Sequence, residues 1–300
     1  MMADAGKTSA FRTFLQLTKA QIAVAVLISS AMGFLLAAGS FSTAMLMPLL
    51  GVYLLSCGSL ALNQCQEVAI DARMDRTRKR PIQTGRLDRK ASLFIAILLI
   101  LLGAWALSSS RYPNKLLLLG LFAIVWYNGV YTYLKRVTAF AVVPGAVIGS
   151  IPPMIGWVAG GGKLDDPMIL LVATFYFIWQ VPHFWLLMAR VGEEYAQAGL
   201  PSLTKVFSPD QLGRVTFMWV LATAAAGMVF PALSPQAFLL PWRLALLLAS
   251  IWLAFKATRL LRPAEPQAKG LGQAFIHINI YGLLVSVVLS LNGIMGPHTP

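Results

Sequence analysis

Asn63, Glu67 and Asp71 are spaced i, i+4, i+8. On a helix of 3.6 residues per turn they drift by only about 80° and span about 12 Å. Three oxygen-bearing side chains therefore share one helical face, and Asp75 extends the row if the helix continues. Carboxylates set this close repel one another unless a cation neutralises them. A hard divalent ion such as Mg²⁺ suits them, since it takes one or two carboxylates and completes its shell with water and phosphate oxygens. Arg73, Arg76, Arg78, Lys79, Arg80 and Arg86 come shortly after in the chain. Guanidinium groups grip phosphate through a planar fork. Carboxylates for a metal beside guanidinia for phosphate make a site for a lipid diphosphate. The same spacing also fits a solvated basic loop laced with i,i+4 pairs.

A second polar cluster lies in "WQVPHFWLLMARVGEEYAQAGLP", residues 179–201. Gln180 and His183 share a helical face, and Glu193, Glu194 and Tyr195 come beyond the apolar run. A histidine in such a run is as often a packing residue as a functional one. His277 lacks polar company and reads as structural.

These residues are carried by an exceptionally apolar chain. Hydrophobic residues make up 58% of the 300 and mean hydropathy is +0.71, well above ordinary soluble domains. Apolar stretches of about 20 residues recur, the length that crosses a hydrocarbon core. They do not alternate as barrel strands would. The expected fold is all-α, a polytopic membrane bundle with spans near 20–39, 44–66, 91–109, 115–134, 140–160, 167–189, 214–234, 241–258 and 273–292. Residues 1–19 form a polar N-terminal segment without a cleavable signal, residues 20–292 a single membrane domain, and residues 293–300 a tail. Pro113, Gly160–Gly162, Pro235, Pro241 and Pro263 mark span ends. Pro144, Pro152 and Pro153 lie inside span five, where a membrane helix accepts them if neighbours satisfy the freed backbone.

Of the 24 Lys and Arg residues, all but Arg111, Lys115, Lys163 and Arg243 fall on the side of the N-terminus. That side is expected to be cytoplasmic, in the cell inner membrane, with the C-terminus outside. The net charge of +13 reads as this bias against an anionic leaflet, with membrane lipid as partner and no nucleic acid. Of the eleven acidic residues only Asp165 and Asp166 lie on the other side, which the topology rule does not require. Cys57 and Cys65 are the two cysteines, with no metal-binding spacing.

The motifs resemble those of the UbiA-type intramembrane prenyltransferases, nearest to the branch that farnesylates protohaem IX. Asn63, Asp71, Met74, Arg76, Thr77, Arg80 and Pro81 match its first motif, with Thr84-Gly85-Arg86 just beyond. "LQLTK" at 15–19, "YTYLKRVT" at 131–138, "IPPMIGW" at 151–157, "WQVPHFW" and "EYAQAGLP" resemble further motifs in order, so the likeness covers about residues 15–290. Departures are Glu67 for Asp, Ala69 for Asp, Ala141 for Asn, Lys19-Ala20-Gln21 for Lys-Pro-Arg, and Glu194 for Asp.

The resemblance implies a helical bundle around a central apolar cavity and Mg²⁺-assisted transfer from farnesyl diphosphate to a vinyl group of haem b, giving haem O. It implies Asn63, Glu67, Asp71 and His183 as catalytic residues, Glu67 and Asp71 as the Mg²⁺ ligands, and Arg76, Arg80, Lys135 and Arg136 on the diphosphate. Gln180, Glu194 and Tyr195 belong to the second motif, and Trp157, Trp179, Phe184 and Trp185 are candidate cavity liners. Enzymes of haem A synthesis or oxidase assembly are implied partners. Prenylation of a hydroxybenzoate or naphthoate, and transport of a phosphate-bearing lipid, are the rival readings. The rival prenyltransferases tend to carry a second Asp-rich motif where this chain has "WQVPHFW", and transporters place binding groups nearer the midplane.

Overall fold

The computed structural model describes residues 9–233, 238–261 and 267–296. Lys7, Pro235, Arg262 and Pro263 lie outside them, as do residues 297–300 of the C-terminal tail and the first eight residues of the polar N-terminal segment. Helices α1 (Ala10–Thr18), α2 (Ala20–Ala38), α3 (Leu46–Gln66) and α4 (Val68–Asp71) lead into a turn-rich segment up to residue 88. Then come α5 (Arg89–Ser108), α6 (Pro113–Ile124), α7 (Thr132–Leu134), α8 (Val142–Gly145), α9 (Val147–Ala159) and α10 (Pro167–Arg190). The chain closes with α11 (Gly192–Gln197), α12 (Leu203–Val206), α13 (Pro209–Leu233), α14 (Leu240–Ala257) and α15 (Gln267–Met295). Among the described residues nine helical stretches are long and apolar enough to cross a membrane, from Ala20–Ala38 to Gly270–Met295. The protein is an integral membrane protein, and the expected span count holds.

Lipid-facing and protein-facing sides separate clearly. Phe94, Leu101, Leu118, Leu248 and Phe255 are exposed, while Phe175, Phe230, Leu246, Ile278 and Tyr281 pack in the interior. An apolar outer face is what a hydrocarbon solvent favours. Without a hydrophobic drive between helices, association rests on close packing and interhelical hydrogen bonds. Both are present. Tyr176 and Ser286 share a 2.7 Å hydrogen bond between α10 and α15, and Tyr281 and Ser250 one of 2.8 Å between α15 and α14. Cys57 and Cys65 are buried free thiols.

Helices α2 and α9 approach to backbone contact. A Cβ on Gly156 would lie 1.8 Å from the Ser30 carbonyl oxygen, and one on Gly33 would lie 2.1 Å from that of Pro153. The prolines of span five fall where helical order is already interrupted, at the α8–α9 junction, and inside α9. Neighbours take up freed backbone: the Trp126 indole donates to the Pro144 carbonyl at 2.8 Å.

The fourth span is one stretch from Pro113 to Leu134, but residues Val125–Tyr131 are wound as π-helix. Such a turn closes i→i+5 bonds and accommodates an extra residue, so it re-aims the side chains beyond it. In this span those are Lys135 and Arg136.

Gly156→Leu is expected to lower stability by more than about 3 kcal/mol, because the clash is with backbone and cannot be relieved by a rotamer change. Gly272→Ala, where nothing lies within 4 Å of the added carbon, is expected to be neutral. Thermal unfolding of both variants in detergent checks this.

Candidate active site

Helix α3 ends at Gln66 because Glu67 takes φ −106°, ψ 12°, and its N–H bonds to the Asn63 carbonyl at 3.1 Å. One further turn, α4, carries Asp71, and the chain then folds back on itself. The row of carboxylates therefore does not extend to Asp75, which is exposed and pairs with Arg78 at 3.1 Å. The basic segment is not a solvated loop throughout. The Thr77 hydroxyl, buried, donates to the Asp71 carbonyl at 2.8 Å, and Gln83 Nε2 donates to that of Val68 at 2.6 Å. Met74 packs with Ala198, Leu200 and Tyr195, joining this segment to the one after α10. Glu194 Oε2 accepts from the Arg76 backbone N–H at 3.3 Å, and Arg73 Nη1 reaches the Ala198 carbonyl at 3.4 Å. The two polar clusters of the sequence thus form one cap at one end of the bundle.

Beneath the cap, Asn63, Glu67 and Asp71 are all buried. Glu67 pairs with Lys135 at 2.5 Å, and Asp71 pairs with Arg80. Burial pushes the Asp71 carboxyl up, against the opposing pull of the Arg80 guanidinium. Its Oδ1 has no hydrogen-bond partner. Buried ion pairs of this kind seldom recover in stability the desolvation they require, so their presence asks for another explanation.

Polar bonds across two helices aim Lys135. In the π-helical turn the Asn128 amide accepts from Ser59 at 2.6 Å, and donates to the Ser59 carbonyl at 3.0 Å and to Gln66 Oε1 at 3.1 Å. Gln66 Nε2 returns a bond to the Asn128 carbonyl at 3.0 Å. Asn63 Nδ2 donates to the Thr132 hydroxyl at 3.1 Å, which donates to the Tyr127 carbonyl at 2.9 Å. These bonds lock α3 to the fourth span one turn before Lys135. Arg136 faces elsewhere: Nη2 donates to the Gln66 carbonyl at 3.1 Å and its guanidinium lies 5.0 Å from the Tyr133 ring centre. Arg76 is exposed at the rim.

Two further side chains reach the cluster. The Tyr195 hydroxyl lies in the field of Glu67, Arg76, Arg80 and Asp71, and burial raises its pKa. Lys19, at the α1–α2 junction, lies in the field of Arg80, Lys135, Glu67 and Asp71; burial, then the two neighbouring cations, lower its ammonium pKa to about 7.

Gln180 and His183 are not brought onto the carboxylates. His183 lies seven residues before the end of α10, about 10 Å deeper. Its ring stacks on Trp179 at 4.7 Å and sits 5.1 Å from Phe275. Gln180 packs against Gly149. A line of rings nevertheless connects the two regions. Lys135 Nζ lies 5.6 Å from the Tyr131 ring centre, Tyr131 is 6.2 Å from Phe184, and Phe184 is 5.5 Å from His183. A small cleft opens beside this line, lined by Tyr131, Lys135, Ala141, Met188 and Tyr195 among others.

Among the described residues no three His, Cys, Asp or Glu side chains converge. A metal here would draw on two carboxylates, the unpartnered Asp71 oxygen included, and take its other oxygens from water and substrate. That donor set fits Mg²⁺.

Arg80→Met is expected to cost about 3 kcal/mol, since it strands the buried Asp71 charge. Asp71→Asn with Arg80→Met is expected to recover most of the loss. A double-mutant cycle of thermal unfolding reads the difference.

The matching family model, the UbiA prenyltransferase family, covers residues 26–279. The chain is 40% identical over 211 residues to a protoheme IX farnesyltransferase of Oleidesulfovibrio alaskensis, covering 70% of this chain and 74% of that one. It is 33% identical over 269 residues to the protoheme IX farnesyltransferase of Flavobacterium johnsoniae, covering 87% and 88%. Its fold is similar to that of a UbiA homologue from Archaeoglobus fulgidus bound to GPP and Mg²⁺ (TM-score 0.69, 14% identity, 94% and 99% covered). A UbiA homologue from Aeropyrum pernix K1 is also similar (TM-score 0.67, 18% identity, 91% and 96% covered). With most of its length matched, the chain belongs to the UbiA prenyltransferase family.

Proposed function

We propose that this protein transfers a farnesyl group from farnesyl diphosphate to a vinyl group of protohaem IX (haem b), making haem O. The observation that carries the acceptor is the similarity, at 40% and 33% identity, to relatives named protoheme IX farnesyltransferase. The buried pairs Glu67–Lys135 and Asp71–Arg80 support the diphosphate chemistry. The site lies in one membrane domain, residues 20–292, of the cell inner membrane. The N-terminus and the cap are cytoplasmic and the C-terminus is outside, in accord with the Lys and Arg bias.

Glu67 and Asp71, helped by Asn63, would hold Mg²⁺. Magnesium, when bound, supplies Lewis-acid stabilisation of the departing oxygens. Arg80 and Lys135 exchange their carboxylates for phosphate oxygens, and Arg76 and Arg136 add positive charge at the rim. As the C–O bond of farnesyl diphosphate breaks, its electron pair leaves with the diphosphate, and Arg80 and Lys135 stabilise the charge that develops there. The allylic cation faces the rings of Tyr131 and Phe184, whose π-faces favour a cation, and the bundle keeps bulk water away. The terminal vinyl carbon forms the new C–C bond. The resulting cation beside the porphyrin ring takes up a water oxygen, and that water loses a proton to give the hydroxyethylfarnesyl group. Gln180, His183 and Trp179 lie on the acceptor side. Glu194 and Tyr195 close the cap, and Trp157 and Trp185 belong to the apolar wall. Enzymes of haem A synthesis or oxidase assembly are the partners that this product chemistry suits.

Purified protein supplied with farnesyl diphosphate, haem b and Mg²⁺ is expected to yield farnesylated, hydrated haem by mass spectrometry. EDTA and Asp71→Ala are expected to abolish it, and Lys135→Met to slow it by about 10²–10³-fold. Mg²⁺-dependent transfer to a hydroxybenzoate or naphthoate, with none to haem, overturns the acceptor assignment. Absence of turnover with every acceptor favours transport over catalysis.

A further inference from the structure

Lys19 joins α1 to α2 in an unusual way. It has φ 46° and ψ 48°, and it is the one non-glycine residue with positive φ among those described. This left-handed region costs an L-residue about 1–2 kcal/mol and costs glycine nothing. Lysine has no backbone reason to be there. Non-glycine residues held in such a conformation cluster where function over-determines the geometry.

The junction is held firmly. The Lys19 N–H donates to the Leu15 carbonyl, and its own carbonyl accepts from the Ile22 N–H at 2.8 Å. Gln64 Nε2 donates to the carbonyls of Gln16 at 2.9 Å and Leu17 at 2.7 Å. Gln64 is the neighbour of Asn63 and lies one turn before Glu67, so the α1–α2 corner is bolted to α3 at the level of the carboxylates. Lys19 is partly buried there, and its ammonium makes no ion pair among the described residues. The charged groups around it are Arg80, Lys135, Glu67 and Asp71. Arg80 and Lys135 are each matched by a carboxylate. Lys19 is the cation left over. An allylic diphosphate carries about three negative charges and Mg²⁺ neutralises two. The bound pair therefore brings an uncompensated negative charge to the carboxylate cluster, where Lys19 has no carboxylate of its own among the described residues.

We propose that Lys19 is a further diphosphate-binding cation, delivered to the phosphate oxygens by the left-handed corner between α1 and α2. This deepens the function proposed above and rests on it.

Lys19→Gly separates binding from folding, because glycine relieves the backbone at this position. Full-length protein in detergent would be titrated calorimetrically with inorganic pyrophosphate in the presence of Mg²⁺. Lys19→Gly is expected to unfold at the same temperature as the parent or higher. It is expected to bind magnesium pyrophosphate at least about tenfold more weakly, the loss of one charge-assisted contact, and to raise KM for farnesyl diphosphate but not for haem. Lys19→Arg is expected to restore most of the affinity. A Lys19→Gly variant that binds pyrophosphate as the parent does overturns the assignment of Lys19 alone. A parent that neither binds magnesium pyrophosphate nor transfers farnesyl overturns the function and Lys19 together.

Discussion

Two buried carboxylates, each held by a partly buried cation, are the constraint around which this bundle is arranged. Close packing and interhelical hydrogen bonds would assemble such helices in lipid with no charge inside. Here Glu67 and Asp71 are taken out of water and matched by Lys135 and Arg80. Such pairs contribute little net stability. A site that must bind a metal and a polyanion needs both signs within reach, and pairing lets it hold them while no ligand is present.

The surrounding elements position these four groups. Glu67 terminates α3, so Asp71 sits on its own turn and its segment folds over the site instead of running on as helix. The π-helical turn at Val125–Tyr131, clamped by Asn128 to Ser59 and Gln66, sets the aim of Lys135. Met74, Leu200 and Tyr195 seal the cap. Below it, rings from Tyr131 to His183 and Trp179 carry the site into the apolar interior.

Much of this was legible in the sequence. Hydrocarbon thickness sets a minimum apolar length, so the nine spans could be counted. Asn63, Glu67 and Asp71 stood out because charge in so apolar a chain is costly. Other features depend on tertiary bonds that spacing does not encode. Asp75 leaves the row because the helix stops at Glu67. Arg136 turns to the Gln66 carbonyl although it adjoins Lys135. Asn128 was visible only as an amide within an apolar run, and nothing in Val125–Tyr131 announces a π-helix. Lys19 could be read as the start of the first span, but its left-handed backbone belongs to a corner tied to α3 through Gln64. Gln180 and His183 share a face as their spacing required, yet that face lies deeper than the charges.

In the function proposed above, the two ion pairs open to receive a metal diphosphate. The most direct measurement is an experimental structure with Mg²⁺ and farnesyl thiodiphosphate, a slowly ionising analogue. Metal density is expected on Glu67 and Asp71, with Arg80 and Lys135 moved from the carboxylates to the phosphate oxygens. A diphosphate bound elsewhere, with Glu67–Lys135 and Asp71–Arg80 intact, would contradict it.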